Sequence, residues 1–200
     1  MSTLLKINAS LFAAHGQSSQ LTERFVSAWQ AAHPDTTVVE RDLAAQPVPH
    51  LDGERFMSFL SKPEERSAAQ QAVVDLSDAL IAEVQAADVI VLGVPMYNLG
   101  VPSVLKAYFD HIARAGVTFR YTATGPEGLL KGKKVYVFAT RGGVYAGTEM
   151  DNQTPYLKIF LGFLGITDVE FVYAEGLNMG DESKAAALAA AHAQIEQLAK

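Results

Sequence analysis

Three short stretches of this chain gather hydroxyl, amide and glycine groups at spacings that could hold a ligand. The first is Ser10 to Ser19, SLFAAHGQSS. Ser10, Ser18 and Ser19 bring hydroxyls and Gln17 an amide, and Gly16 leaves its backbone N–H accessible. A helix predicted to begin here adds unpaired N–H groups and the positive end of its peptide dipoles. Neutral donors around a helix start suit a doubly charged phosphate. The stretch has neither the lysine of GxxxxGK[ST] nor the spacing of GxGxxG, which argues against an NTPase and against a Rossmann dinucleotide site. An ordinary N-cap by Ser18 or Ser19 is the competing explanation.

The second stretch is Pro95, Met96, Tyr97, Asn98 and Leu99. Met96, Tyr97 and Leu99 could wall a flat ring, while Asn98 and loop amides bond its edge. The third is Thr140, Arg141, Gly142 and Gly143, whose glycines permit a tight turn and close approach to a planar molecule. Any one of these is, by itself, an ordinary turn. Their coincidence is what suggests one site seen from three sides.

Other chemistry is poorly supplied. There is no cysteine, so thiolate nucleophiles, thiol metal ligands and disulfides are excluded. His15, His33, His50, His111 and His192 show no metal spacing, and no HExxH or GxSxG is present. His15 and His33 read as solvated, and His111 reads as a surface residue in preference to one facing a pocket. Lys106, Asp110 and Arg114 recur at intervals of four and read as an exposed charge row. Arg120 is open between a surface role and a contact with a phosphate or a partner subunit. The 16 basic and 22 acidic residues give a net charge of −6, which argues against nucleic acid or an anionic membrane as partner. MSTLLKINAS lacks a basic region followed by an apolar run, so no signal peptide is expected. No apolar run approaches the roughly 18 residues a membrane span needs. A soluble cytoplasmic protein is the expectation.

The elements that must position these groups follow from hydrophobic period. Apolar, β-branched runs at Leu4–Ala9, Thr36–Asp42, Val89–Val94, Lys134–Ala139 and Val169–Ala174 read as buried parallel strands. Between and after them lie helical patterns at Gln17–His33, Glu65–Ala86, Val104–Ala115, Thr154–Leu164 and Glu182–Leu198. Leu43 to Pro63 is a long connection with one short helix around Arg55–Leu60. Val117–Thr122 alternates and reads as a β segment outside the main sheet, with Gly125–Gly132 as its exit loop. Phe160, Leu161, Phe163 and Leu164 read as core or interface. Five strands alternating with helices predict a doubly wound α/β fold, built as a single domain over residues 1–200. Ligands in such sheets sit beyond the carboxyl ends of the strands, where all three stretches fall. Periodicity does not give the strand order.

The chain also carries a family resemblance. PMYN, VPSVLKAYFD and ARAGVTFRYT, together with SLFAAHGQSSQL, TRGGVY and PYLKIFLGFLGITDVEFVYAEG, resemble the FMN-dependent NADH:azoreductases, a branch of the flavodoxin-like quinone reductases. The resemblance spans nearly the whole length. It implies the flavodoxin strand order 2-1-3-4-5 and FMN held by Ser10, Gly16, Gln17, Ser18, Pro95 to Leu99 and Thr140 to Gly143. That family usually has Ser or Arg immediately before the Gln-Ser pair, where this chain has Gly16. The implied activity is two-electron, ping-pong reduction of quinones and azo compounds by NADH or NADPH, with no catalytic side chain because the cofactor carries the chemistry. It also implies a homodimer, with Phe119, Tyr121, Tyr145 and Phe163 around the substrate pocket. A flavodoxin-type single-electron carrier is the alternative. Such a carrier would not need the aromatic insertion GVTFRY or the Leu43–Pro63 connection.

Overall fold

The computed structural model describes residues 2–200. Five parallel strands form its sheet: β1 (Thr3–Asn8), β2 (Thr37–Asp42), β3 (Val89–Pro95), β6 (Lys134–Thr140) and β7 (Asp168–Ala174). Their spatial order is β2-β1-β3-β6-β7, which is 2-1-3-4-5 when only the strands of this sheet are counted. This is the flavodoxin-like order. The two remaining strands, β4 (Phe119–Thr122) and β5 (Gly125–Gly128), pair antiparallel in a separate hairpin. The Gly125–Gly132 segment is therefore not simply an exit loop, because its first four residues return as a strand.

The central strands are buried on both faces, and their side chains alternate between two cores. From β3, Val89 and Val91 point to one face and Ile90, Leu92 and Val94 to the other. β6 does the same, with Tyr136 and Phe138 on the first face and Val135 and Val137 on the second. The first face is covered by α1 (Gln17–Ala32) through Leu21, Phe25 and Val26 and by α6 (Asp181–Leu198) through Ala191 and Ile195. The second is covered by α3 (Ala68–Ala86), α4 (Ser103–Ile112) and α5 (Gln153–Phe163), with Leu80, Leu105, Phe109 and Leu157 at 0–1 % exposure. This is the doubly wound arrangement that the alternating pattern predicts.

Helix ends shift from the sequence reading to where side chains bond the terminal backbone groups. α3 begins at Ala68, three residues after Glu65, because Ser67 and Gln70 form a reciprocal capping box. α2 (Gly53–Leu60) is capped by Asp52, whose carboxylate accepts from the Arg55 N–H at 2.8 Å. α4 stops at Ile112, before Ala115, and the Thr118 hydroxyl donates to the Ile112 carbonyl at 2.6 Å.

Two side chains at the end of α4 and just beyond it depart from the sequence reading. His111 is completely buried, edge-on to Phe59 at 6.1 Å, with Nδ1 3.1 Å from the Ala107 carbonyl. Burial holds its pKa below the ordinary value of 6.5, against the Ala107 carbonyl and Asp110, which pull it up. Arg114 leaves the charge row as well. It turns under α3 to pair with Asp78, while Lys106 and Asp110 keep their exposed pair at 2.5 Å. Arg120 is spent locally, pairing with Glu127 across the β4–β5 hairpin.

Candidate functional site

In-register pairing brings the carboxyl ends of β1, β3 and β6 to one edge. Asn8 lies beside Gly93, and Pro95 beside Thr140. The loops that follow these strands must therefore meet, and the three stretches singled out in the sequence do so.

The first loop leaves β1 at Ala9, whose N–H still bonds the Gly93 carbonyl at 3.1 Å. Ala13 is left-handed, with φ 47°, and reverses the chain into α1. The residue that caps α1 is Gly16, and no side chain accepts from the first-turn amides. Ser18 and Ser19 thus lie inside the first turn and cap nothing, which removes the ordinary N-cap explanation. Both hydroxyls are buried with no hydrogen-bond partner. Glycine at position 16 is required by contact, because a Cβ there would stand 2.0 Å from Ser10 Oγ. Gly93 matters in the same way. A Cβ on it would come within 3.1 Å of Thr22 Cγ2 and 3.3 Å of the Ser18 carbonyl, so its absence lets the start of α1 settle onto β3.

The second loop is a tight reversal. Tyr97 N–H donates to the Gly100 carbonyl at 3.1 Å, and Gly100 N–H returns the bond at 3.0 Å. Both central residues are left-handed, Asn98 with φ 50° and Leu99 with φ 64°. That is the geometry of a type I′ turn, which Asn accepts readily and Leu does not. The Tyr97 hydroxyl accepts from Leu11 N–H at 3.3 Å and lies 3.5 Å from Ser10 Oγ, which ties this turn to the first loop.

The third loop departs most from expectation. Arg141 is 1 % exposed. Its guanidinium points inward, away from any ligand, and donates to Asp151 at 2.9 Å, Thr154 at 2.8 Å, Glu175 at 3.0 Å and Gln153 at 3.3 Å. It also lies 5.1 Å from the centre of the Tyr173 ring. Burial opposes ionisation of Asp151, but the Thr154 N–H and hydroxyl and the Arg141 guanidinium outweigh it and hold the carboxyl below its ordinary range. Glu175 accepts from the N–H groups of Tyr145 and Ala146 as well, both at 2.9 Å, and so shapes the loop beyond Gly143. Close approach at Gly142 and Gly143 is taken up within the chain. A Cβ on Gly142 would meet Asn178, and one on Gly143 would meet the Tyr145 ring.

Between these loops lies a cavity of about 240 Å³. Ser10, Gly16 and Gln17 border one side, Pro95, Met96 and Tyr97 a second, and Thr140, Arg141 and Gly142 a third. Leu177, Asn178 and Lys184 close it from the loop after β7 and the start of α6. The sequence reading omitted that fourth wall. Its signal is EGLNMG after β7, another loop at the same end of the sheet. A second cavity, about 660 Å³, adjoins across Tyr97 and is bordered by Asn98, His50, Lys106 and Tyr156. Burial, with a smaller push from Asp110, raises the Tyr156 hydroxyl to about 12, so it stays a neutral donor near neutral pH. A third crevice, about 520 Å³, lies between α1 and β2. Its cations are paired, Lys6 with Glu23 and Glu40 inside the crevice and Arg24 and Arg41 with Glu196 and Glu83 outside it.

Nine of the thirteen predicted cofactor residues border the smaller cavity, Arg141 with its guanidinium turned away, and Asn98 borders the adjoining one. Ser18 is buried at the start of α1, and Leu99 and Gly143 border neither cavity. Of the four aromatics expected around a substrate pocket, Tyr121 and Phe163 both pack against Phe119, Tyr121 with ring centres 5.5 Å apart, while Tyr145 stands elsewhere, and none of the four borders either cavity. Phe119 is 7 % exposed and packs on Phe163 with ring centres 4.3 Å apart, as core. Tyr121 is 75 % exposed, and Tyr145 lies over Gly143.

Uncapped helix-start amides, a buried hydroxyl without a partner at Ser18 and a cavity bordered by Tyr97 at the carboxyl edge of this sheet form an arrangement that could hold a phosphate and a flat ring. The family model described as the flavodoxin-like fold matches residues 2–199, and the chain belongs to that family. Among its relatives is the FMN-dependent NADH:quinone oxidoreductase of Cellvibrio japonicus (strain Ueda107), 57 % identical over 197 residues that cover 98 % of both chains. A protein of the same name from Alcanivorax borkumensis is 56 % identical over 192 residues, covering 96 % of this chain and 97 % of that one. Among solved structures, an azoreductase from Bacillus anthracis str. Sterne superposes with a TM-score of 0.92 at 31 % identity, over 100 % of this chain and 99 % of that one. An FMN-dependent NADH-azoreductase from Bacillus anthracis str. Ames Ancestor, solved in complex with FMN, gives 0.91 at 28 % identity over 100 % and 98 %.

Proposed function

We propose that this chain is an FMN-dependent oxidoreductase that uses NADH to reduce quinones, with azo compounds as further acceptors. The observation that carries the reading is the buried, unpartnered hydroxyl of Ser18 in the uncapped first turn of α1, next in the chain to Gly16 and Gln17 of the smaller cavity. Such a group is costly unless a ligand oxygen completes it. A phosphate there and a ring toward Tyr97 fit FMN, and the relatives named for FMN and NADH support the same assignment. Residues 1–200 then act as one FMN-binding domain.

FMN, when bound, supplies a two-electron carrier between nicotinamide and acceptor. The chain's part is to bind and orient. Ser10, Gln17, Ser18 and the helix-start amides hold the phosphate. Pro95 to Asn98 and the main chain of Thr140 to Gly142 border the ring. The overall balance is NADH plus quinone plus one proton giving NAD⁺ plus hydroquinone.

The carrier alternative is not favoured, because the β4–β5 hairpin and the segment carrying α2 are substantial additions beyond the sheet and its covering helices. We also propose a homodimer. Phe12, Phe56, Met57, Leu60 and Tyr121 are each at least half exposed, a large apolar surface for a chain of this size. Tyr121 then acts at a neighbouring subunit's pocket and not at its own. Among the described residues no helix is long and apolar enough to cross a membrane, and a cytoplasmic location is proposed with the function.

The purified protein should be yellow and release FMN, not FAD, on denaturation. It should then oxidise NADH with a quinone in ping-pong fashion. A colourless protein that takes up no FMN would overturn the assignment. Sedimentation at micromolar concentration tests the dimer.

A further inference from the structure

Gln153 lies at the first turn of α5, far in sequence from the loops it touches. It is completely buried and all its polar atoms are used. Its Oε1 accepts from Arg141 Nε at 3.3 Å, and its Nε2 donates to the Pro95 carbonyl at 3.0 Å and toward the Gly100 carbonyl at 3.4 Å. Those carbonyls stand at the two ends of the left-handed Asn98–Leu99 turn. We propose that Gln153 is a positioning residue for the flavin ring, holding the 95–100 turn at the angle its ring contacts require. The proposal rests on the FMN reading above.

The amide has only one orientation that works. A guanidinium can only donate and a carbonyl can only accept, so the oxygen must face Arg141 and the nitrogen must face the turn. Arg141 is in turn fixed by two carboxylates, Asp151 and Glu175, at 2.9 and 3.0 Å. The order of command is therefore carboxylates, guanidinium, amide, turn. The turn needs such a clamp. Its left-handed Leu99 is strained, and left-handed residues at sites persist only where surrounding contacts over-determine them. The Tyr97–Gly100 pair closes the turn on itself, and Met96 N–H bonds the Thr140 carbonyl at 2.9 Å. Neither sets the spacing between Pro95 and Gly100 as a single bridging donor does.

The test uses the flavin-loaded protein with Gln153→Met, which keeps the volume and removes the donor, and Gln153→Glu, which keeps an acceptor for Arg141 but presents no donor to the two carbonyls. Dissociation constants are measured for FMN and for riboflavin, which lacks the phosphate, together with the visible absorption maximum of the bound flavin. Both variants should weaken FMN and riboflavin by the same factor, about tenfold, equivalent to about 1.4 kcal/mol. The absorption maximum should shift in both. An unchanged maximum and unchanged constants in either folded variant would overturn the proposal, as would a loss confined to FMN, which would place the effect at the phosphate. If Gln153→Met does not fold, Gln153→Glu gives the same readouts. Failure of the FMN reading shows separately, as a wild-type protein that binds neither flavin.

Discussion

The loop before α1 and the turn after β3 border the same cavity, yet they are finished in opposite ways. The polar side chains behind the 95–100 turn are all paired: Gln153 bonds the turn, Arg141 bonds Gln153, and the buried Asp151 and largely buried Glu175 bond Arg141. Behind the 10–19 loop, Ser18 and Ser19 have none. The first is complete without a ligand and so can be rigid beforehand. The second is left incomplete, so that binding supplies what folding did not. A ring needs a fixed wall, whereas a phosphate brings strong acceptors and can satisfy waiting donors. Division of labour between pre-organisation and unmet hydrogen bonding is what the pair teaches.

The contrast is broken most severely at Arg141. Arg141→Met would leave Asp151 and Glu175 buried without their cation, and breaking a buried pair in this way costs about 3–5 kcal/mol. Chemical denaturation of the apo-protein should show that loss. An apo-protein of wild-type stability would mean that the guanidinium is not what completes the 95–100 turn.

Ser18→Ala should do the reverse and separate binding from stability. FMN affinity should fall by about 1.5–3 kcal/mol, the worth of a hydrogen bond to a charged oxygen. Apo-stability should hold or rise, because an orphaned buried hydroxyl has been removed. Riboflavin affinity should barely move. Equal losses for both flavins would show that Ser18 does not meet the phosphate.

The brace also has an acid limit. Asp151 is held below its ordinary value of 3.8, so its contribution is fully present above that pH and is lost as pH falls through the lower, folded value. Wild-type stability should drop more steeply below pH 4 than that of Asp151→Asn. Parallel curves would remove Asp151 from the ledger of acid-sensitive groups.

The two regions were not equally legible in the sequence. The strands, the sheet's helical cover and the 10–19 loop follow from period and donor spacing, which are local. The resemblance supplied the strand order, and the register then brought the loops together. The brace was hidden because it is long-range. Nothing near Gln153 signals a bond to Pro95, 58 residues away. Arg141 beside two glycines looks like a ligand contact, and only the buried Asp151 and Glu175 show that its guanidinium faces inward. His111 misled for a related reason, since a polar residue in a charged stretch conceals an apolar neighbour such as Phe59. β5 was not legible, although β4 was, because GPEG has no β propensity of its own and is held by pairing with FRYT.

The smallest test lies within the turn itself. Leu99 holds φ 64° at 37 % exposure, so truncation also gives up part of its side chain's burial and reduces any gain. Leu99→Gly removes a left-handed penalty of about 1–2 kcal/mol but adds about 0.5–1 kcal/mol of backbone entropy to the unfolded chain. The net change in apo-stability should be a gain below about 1.5 kcal/mol, the difference of those two ranges. Flavin affinity should not improve with it, because a glycine there frees the turn that Gln153 holds. A variant that becomes both more stable and tighter for flavin would show that strain at Leu99 works against binding, and that the clamp through Gln153 does not need it.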